Sequence, residues 1–161
     1  MTIKVGDKLP EAKLRVMTED GLAVKTTDDV FKGKKVALFA VPGAYTGTCH
    51  KMHLPGIFLN AYALKDKGVD SIGIISVNDA FVMNAWKKDT DLRDEATFLA
   101  DGNAEFTKAI GMELDASGNG LGIRSKRYSM LVEDGVVTKF NIEPNPGKVE
   151  VSGGDTLLGQ L

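Results

Sequence analysis

Scarcity carries the first information in this chain of 161 residues. It has one cysteine, one tryptophan and two histidines, and a formal charge of −2 at pH 7. A single cysteine excludes an intramolecular disulfide and any metal centre built on cysteines. The two histidines, His50 and His53, lack the carboxylate spacing that would complete a metal site. The 20 Lys and Arg nearly balance the 22 Asp and Glu. That balance leaves no electrostatic footprint for nucleic acid or an anionic membrane surface. No apolar run approaches the roughly 18 residues that span a bilayer, and no charged-then-apolar leader opens the chain. The expectation is a cytoplasmic protein with no membrane or nucleic-acid partner. In such a reducing compartment a lone thiol is either inert or catalytic.

What is present fits one globular domain over residues 1–161, with 43% hydrophobic and 26% charged residues. Val36–Val41 is a continuous apolar run, the pattern of a strand buried on both faces. It breaks at Pro42-Gly43 and passes through a small-residue turn into a helix that carries Cys49. Thr46 and Thr48 are both candidate N-caps, which puts Cys49 in or near the first turn. Pro55-Gly56 is expected to kink that helix, and Ile57, Phe58, Ala61 and Leu64 continue its stripe to Lys67 before Gly68 stops it.

Upstream, Ala12–Val16 alternates and Glu19-Asp20-Gly21 reads as a hairpin turn, with Thr27-Asp28-Asp29 capping one short helical turn through Phe31. Downstream, Ser71–Val77 is a second buried strand. Asn78-Asp79 caps a helix through Phe81, Val82, Ala85 and Trp86. Ala96–Ala100 is a third strand and Ala104–Met112 a short helix. Tyr128–Val132 and Val136–Asn141 form a hairpin through Glu133-Asp134-Gly135, and Gly154–Leu161 a terminal helix capped by Asp155. The order is that of a mixed-sheet α/β protein with a thioredoxin-like fold.

The chemistry concentrates on Cys49. It sits at a strand-to-helix turn, where α/β sheets place ligand sites, among the small residues Gly43, Ala44 and Gly47. A helix N-terminus favours an anion, and a thiol whose pKa falls from about 8.5 to about 6 becomes roughly 90% thiolate at neutral pH. Thr46 lies three residues upstream, within reach of the same pocket. Arg127 immediately precedes an apolar strand, so its guanidinium can point inward at the strand end beside a thiolate, whereas Arg124 and Lys126 read as a solvated rim. His53, at i+4 from Cys49, raises a Cys-His dyad of the hydrolase type, against the plainer reading of a histidine that anchors the helix start. The acidic set Asp89, Asp91, Asp94 and Glu95 reads as a solvated loop, and Trp86 with Phe81 as core or interface. Gly118–Gly122 is superficially like a phosphate loop. It does not follow a strand and open a helix, so no cofactor is expected there.

Three motifs, PGAYTGTCHKMHLPG, SVNDAFVMNAW and GLGIRSKRYSMLVEDG, run in order through nearly the whole chain and resemble the type II, or peroxiredoxin-5-like, peroxiredoxins. The resemblance implies reduction of hydrogen peroxide and organic hydroperoxides by a cysteine. It places Cys49 on the family's peroxidatic cysteine and Thr46 on the threonine that hydrogen-bonds thiolate and peroxide. Pro42 falls on the proline that shields the pocket from water, and Arg127 on the arginine beside the sulfur. Gly47 stands where proline is frequent, and the second, resolving cysteine of some members has no counterpart here.

A one-Cys enzyme follows, its sulfenic acid cleared by an external thiol or by Cys49 of another subunit: glutathione with or without glutaredoxin is placed first, thioredoxin second. The resemblance also implies a homodimer formed through loops near the active site. The competing readings are a thiol redox sensor or holdase, and a cysteine hydrolase or transferase using Cys49 with His53.

Overall fold

The structure, a computed structural model, describes residues 2–161. Strands β1 (Lys13–Thr18) and β2 (Gly21–Thr26) form the expected hairpin, with Thr18 opposite Gly21. Helix α1 (Thr27–Phe31) follows, but its cap is Thr26 rather than Thr27. The Thr26 hydroxyl accepts from the Asp29 N–H while the Asp29 carboxylate accepts from the Thr26 N–H, a reciprocal capping box. Thr27 is buried instead, its hydroxyl 2.9 Å from the Pro10 carbonyl.

The chain then runs through β3 (Lys35–Ala40), a π-helical turn (Cys49–His53), α2 (Leu54–Asp66), β4 (Ser71–Ser76) and α3 (Ala80–Lys88). After these come β5 (Thr97–Ala100), α4 (Glu105–Ala109), β6 (Glu113–Asp115), β7 (Ile123–Ser125), β8 (Tyr128–Glu133), β9 (Val136–Ile142) and α5 (Gly154–Gly159).

Seven strands make one sheet in the order β2-β1-β5-β4-β3-β8-β9. The β5-β4-β3 centre is parallel and the flanks are antiparallel. This is a thioredoxin-like α/β arrangement with a mixed sheet flanked by helices. Alternation along β3 sorts the core into two layers. Ala37, Phe39 and Val41 face Ile57, Ala61 and Leu64 of α2, Met83 and Trp86 of α3, and Leu157 of α5. Val36, Leu38 and Ala40 face Phe31 of α1 and Phe106 of α4. In β8, Leu131 belongs to the first layer and Tyr128, Met130 and Val132 to the second. By the same parity Arg127, one residue before the strand, points to the layer that carries Cys49.

Some local expectations shift. The buried face of α3 is Ala80, Met83 and Trp86, whereas Phe81 is 69% exposed. Asp79 alone caps that helix, through the Val82 N–H. Phe58 is partly exposed, off the buried face of α2. The cap of α5 is Gly153, with Asp155 in its first turn. The glycine-rich loop joins β6 to β7, two three-residue strands too short to give a periodic signal.

Gly154 shows why this layer closes. A Cβ there would lie 3.1 Å from the Gly56 carbonyl oxygen and 3.1 Å from Ile57 Cα. Both are backbone atoms of α2, so any side chain there would push α5 away from that helix by a few tenths of an ångström. Gly154→Ala is expected to cost about 1–3 kcal/mol, the usual range for overpacking. Denaturant titration against the native chain measures it.

Candidate active site

The site forms at the C-terminal end of β3, where the chain leaves the sheet through Pro42. Regular helical bonding begins as the His50 N–H donates to the Thr46 carbonyl (2.9 Å). It widens at once, because the Leu54 N–H bonds back to the Cys49 carbonyl, five residues earlier. Pro55, in the first turn of α2, gives this π turn a physical reason. Proline has no N–H to donate and its ring crowds the carbonyl four residues before it, and a wider turn relieves both constraints. The kink expected at Pro55-Gly56 is therefore displaced upstream into Cys49–His53. Cys49 stays in the first turn of this composite helix, 1% exposed.

Two of the residues singled out from the sequence meet its sulfur. The Thr46 hydroxyl is 2.9 Å from Sγ and 2.7 Å from the Gly43 carbonyl. Its one proton goes to the carbonyl when sulfur is a thiol and to sulfur when it is a thiolate. Arg127 donates Nη2–H to Sγ (2.9 Å) and Nε–H to the Pro146 carbonyl (2.9 Å). Pro42 is half-buried at the mouth of the turn, and its carbonyl faces Arg124 Nη1 at 3.5 Å.

His53 is not a base for Cys49. It is fully buried, and Nε2 lies 2.8 Å from the Ser152 carbonyl, which can only accept. The proton is therefore on Nε2, and Nδ1 accepts from Arg127 Nη1 (2.9 Å). Burial, with the Arg127 charge adding to it, pushes His53 down to about 4, so it stays neutral at physiological pH. The Cys-His dyad has no place in this geometry. His53 holds Arg127, and Arg127 holds the sulfur.

His50 is likewise engaged elsewhere: its Nδ1 accepts the Trp86 indole N–H (2.9 Å). Tyr45, at φ 62, packs its ring on His50 and donates its hydroxyl to Asp89 (2.6 Å). That bond to Asp89 pushes the Tyr45 hydroxyl up to about 12. Asp89 is thus part of the frame around the active turn, not simply a solvated acid.

Arg124 also departs from expectation. It is half-buried, donating to the Leu121 carbonyl (2.9 Å) and reaching the Pro42 and Val77 carbonyls at 3.5 and 3.4 Å. A Cβ on Gly43 would come within 3.0 Å of its Nη1. The absent side chain leaves the guanidinium room to lie close over the loop.

Known proteins share this chain's fold and much of its sequence. The Redoxin family profile matches residues 4–158. The chain is 48% identical over 160 residues to peroxiredoxin-2E, chloroplastic, of Arabidopsis thaliana, covering 97% of this chain and 68% of that one. The chain belongs to the Redoxin family, as a peroxiredoxin.

Peroxiredoxin-2C of Oryza sativa subsp. japonica is 46% identical, over 99% of this chain and 98% of its own. Among solved structures, reduced Prx3 from Vibrio vulnificus in complex with hydrogen peroxide superposes with a TM-score of 0.93. It is 48% identical, and 99% of each chain is covered. The type II resemblance of the three motifs therefore extends over nearly the whole chain.

The His53 geometry generates a pH dependence. Its folded pKa is depressed, so between about 6.5 and about 4 the unfolded chain binds the extra proton and stability falls as pH falls. The full effect is of the order of 3 kcal/mol. In His53→Gln, whose amide can still accept from Arg127 and donate to Ser152, the loss of stability across that window is expected to be shallower. Denaturant midpoints at pH 7, 5.5 and 4 measure it, and parallel curves for the two proteins would contradict it.

Proposed function

We propose that this peroxiredoxin reduces hydrogen peroxide and organic hydroperoxides through Cys49, as a one-Cys enzyme resolved by an external thiol. The observation that carries the reading is the contact of a buried guanidinium with the chain's only sulfur, Arg127 Nη2 to Cys49 Sγ at 2.9 Å. The Cys49 thiolate attacks the terminal peroxide oxygen in line. The S–O bond forms as the O–O bond breaks, sulfur loses two electrons, and the leaving alkoxide or hydroxide takes a proton from solvent. Arg127 and the Thr46 hydroxyl are the donors available to the charge that develops on the oxygens, a role worth several kcal/mol where water is excluded. Pro42 and the half-buried loop after it restrict that water.

The product is the Cys49 sulfenic acid. One external thiol condenses with it to a mixed disulfide and water. A second thiol then releases Cys49 and leaves as the external disulfide. Cys49 is 1% exposed, so a small peroxide can reach its sulfur far more readily than a thiol of glutathione's size. Reduction therefore requires movement of the Gly43–His53 segment. Glutathione, alone or with glutaredoxin, is the reductant we place first and thioredoxin second, because the chain has no second cysteine. A homodimer through this face is supported by exposed Tyr45 and Phe81 on adjacent elements, which the Ala44 N–H joins by donating to Asn78 Oδ1 (3.0 Å). Cytoplasmic residence belongs to the same reading, since Cys49 must be kept reduced. A redox sensor is the second reading, favoured by the deep burial of Sγ.

Stopped-flow mixing with peroxide is expected to show fast single-site oxidation, with turnover once a thiol of the panel (glutathione, glutaredoxin, thioredoxin) is added. Arg127→Ala is expected to slow the oxidation at least ~10-fold, as loss of about 1.4 kcal/mol of transition-state stabilisation requires. An unchanged rate would remove Arg127 from the chemistry. Fast oxidation that no thiol reverses would favour the sensor.

A further inference from the structure

The loop between β9 and α5 supplies much of the site without contributing a reacting atom. Its Pro146 carbonyl accepts Arg127 Nε–H, its Gly147 carbonyl accepts the Thr48 hydroxyl (2.8 Å), and its Ser152 carbonyl accepts His53 Nε2–H. Nothing in the composition of this stretch, EPNPGKVEVS, makes it rigid throughout: it holds no regular helix or strand. What closes it is one buried carboxylate. Glu143 Oε2 accepts the backbone N–H groups of Glu150 (2.9 Å), Val151 (2.8 Å) and Ser152 (2.7 Å), together with the Ser152 hydroxyl (2.6 Å).

Burial alone would raise the Glu143 carboxyl. The donors of Ser152, Val151 and Glu150 outweigh it and hold the group below the usual carboxylate range. The other oxygen, Oε1, is buried with no hydrogen-bond partner among the described residues. Such a charge is costly to keep out of water, and no Lys or Arg lies in an ion pair with it among the described residues.

We propose that Glu143 is a positioning residue for the peroxide reaction, acting on Cys49 through Ser152, His53 and Arg127. The links are continuous. The carboxylate fixes Ser152, the Ser152 carbonyl fixes the His53 ring and its tautomer, and His53 Nδ1 takes one arm of the Arg127 fork. The other arm is thereby directed at Sγ. Glu143 also holds Arg127 from behind, its own N–H donating to the Arg127 carbonyl (2.9 Å). A glutamine at this position keeps that backbone bond and nearly the same shape, so Glu143→Gln isolates what the carboxylate does. The amide weakens the acceptor and places an unpaired N–H₂ group in the buried site, and the Ser152 segment loosens. A guanidinium that wanders by even 1 Å from the sulfur loses much of its effect on the reaction. This inference rests on the peroxidase reading above.

The test is a double-mutant cycle of Glu143→Gln with Arg127→Ala. Single-turnover peroxide oxidation and the ultraviolet thiolate absorbance of Cys49 without peroxide are measured alongside thermal stability. In the native background, Glu143→Gln is expected to slow oxidation about fivefold and to lower the thiolate signal at neutral pH. In the Arg127→Ala background it should change the rate by less than about twofold, because the link it acts through is already gone. Equal losses in both backgrounds would reduce Glu143 to a general structural role and overturn the proposal, as would an unchanged rate in the native background. Ser152→Ala, which removes one of the four donors to the carboxylate, is the second variant should Glu143→Gln not fold. It is expected to slow oxidation about twofold with Arg127 present and not without it, and any other pattern overturns the proposal. If the native chain itself showed no fast oxidation, the peroxidase reading would fail. The thiolate signal would still report whether Glu143 acts on the sulfur.

Discussion

A buried guanidinium that forms no ion pair with a carboxylate among the described residues is the constraint this structure answers to. Arg127 is 2% exposed, and no ion pair among the described residues includes it. Burying such a charge is expensive unless opposite charge and hydrogen bonds compensate it. Its recorded partners are two neutral acceptors, the Pro146 carbonyl and His53 Nδ1, and one group that can carry a negative charge, Cys49 Sγ. The cation and the sulfur therefore solve each other's problem. An ionised sulfur is the counter-charge that a buried arginine lacks, and the arginine stabilises an anion that a dry pocket would otherwise reject.

The side chain that takes the other arm of the Arg127 fork, His53, keeps this pair in place while remaining neutral itself. A histidinium next to Arg127 would repel it. The environment prevents that by burial, holding His53 near 4 and fixing its proton on the side of Ser152. Trp86 occupies His50 in the same way on the other flank. Two histidines beside a reactive cysteine invite a hydrolase reading, and the hydrogen-bond directions refuse it: each ring spends its acceptor nitrogen on another donor. What is left around Sγ is a hydroxyl and a fork of N–H groups. Such an environment suits a small, neutral, oxygen-rich electrophile better than a peptide bond.

Much of this was legible before any coordinates. The unbroken run from Val36 to Val41 marked the central strand, and the Glu133-Asp134-Gly135 turn marked the hairpin beyond it. Within the basic cluster Arg124, Lys126 and Arg127, the place of Arg127 just ahead of an apolar strand gave its inward direction by alternation. Alternation failed for Arg124, because β7 is three residues long and the carbonyls it reaches, at Pro42 and Val77, are distant in sequence. The π turn was hidden for a related reason. Proline announces a kink, but where the strain is absorbed depends on packing above and below it. Trp86 and Phe81 read alike as core or interface, yet Trp86 is buried and Phe81 stands in the open, since helix phase is set by Ala80, Met83 and Trp86. The long polar stretch after β9 held no periodic signal at all, yet its carbonyls complete the site.

The most direct measurement is of the charge on the sulfur at rest. Ultraviolet difference spectra of the reduced, folded chain at neutral pH, with Arg127→Gln as its reference, report the thiolate without any peroxide present. The account predicts an ionised Cys49 in the native chain and a largely protonated one in the variant. A native chain whose Cys49 is as protonated as that of the variant would contradict the pairing of sulfur and guanidinium on which the account stands.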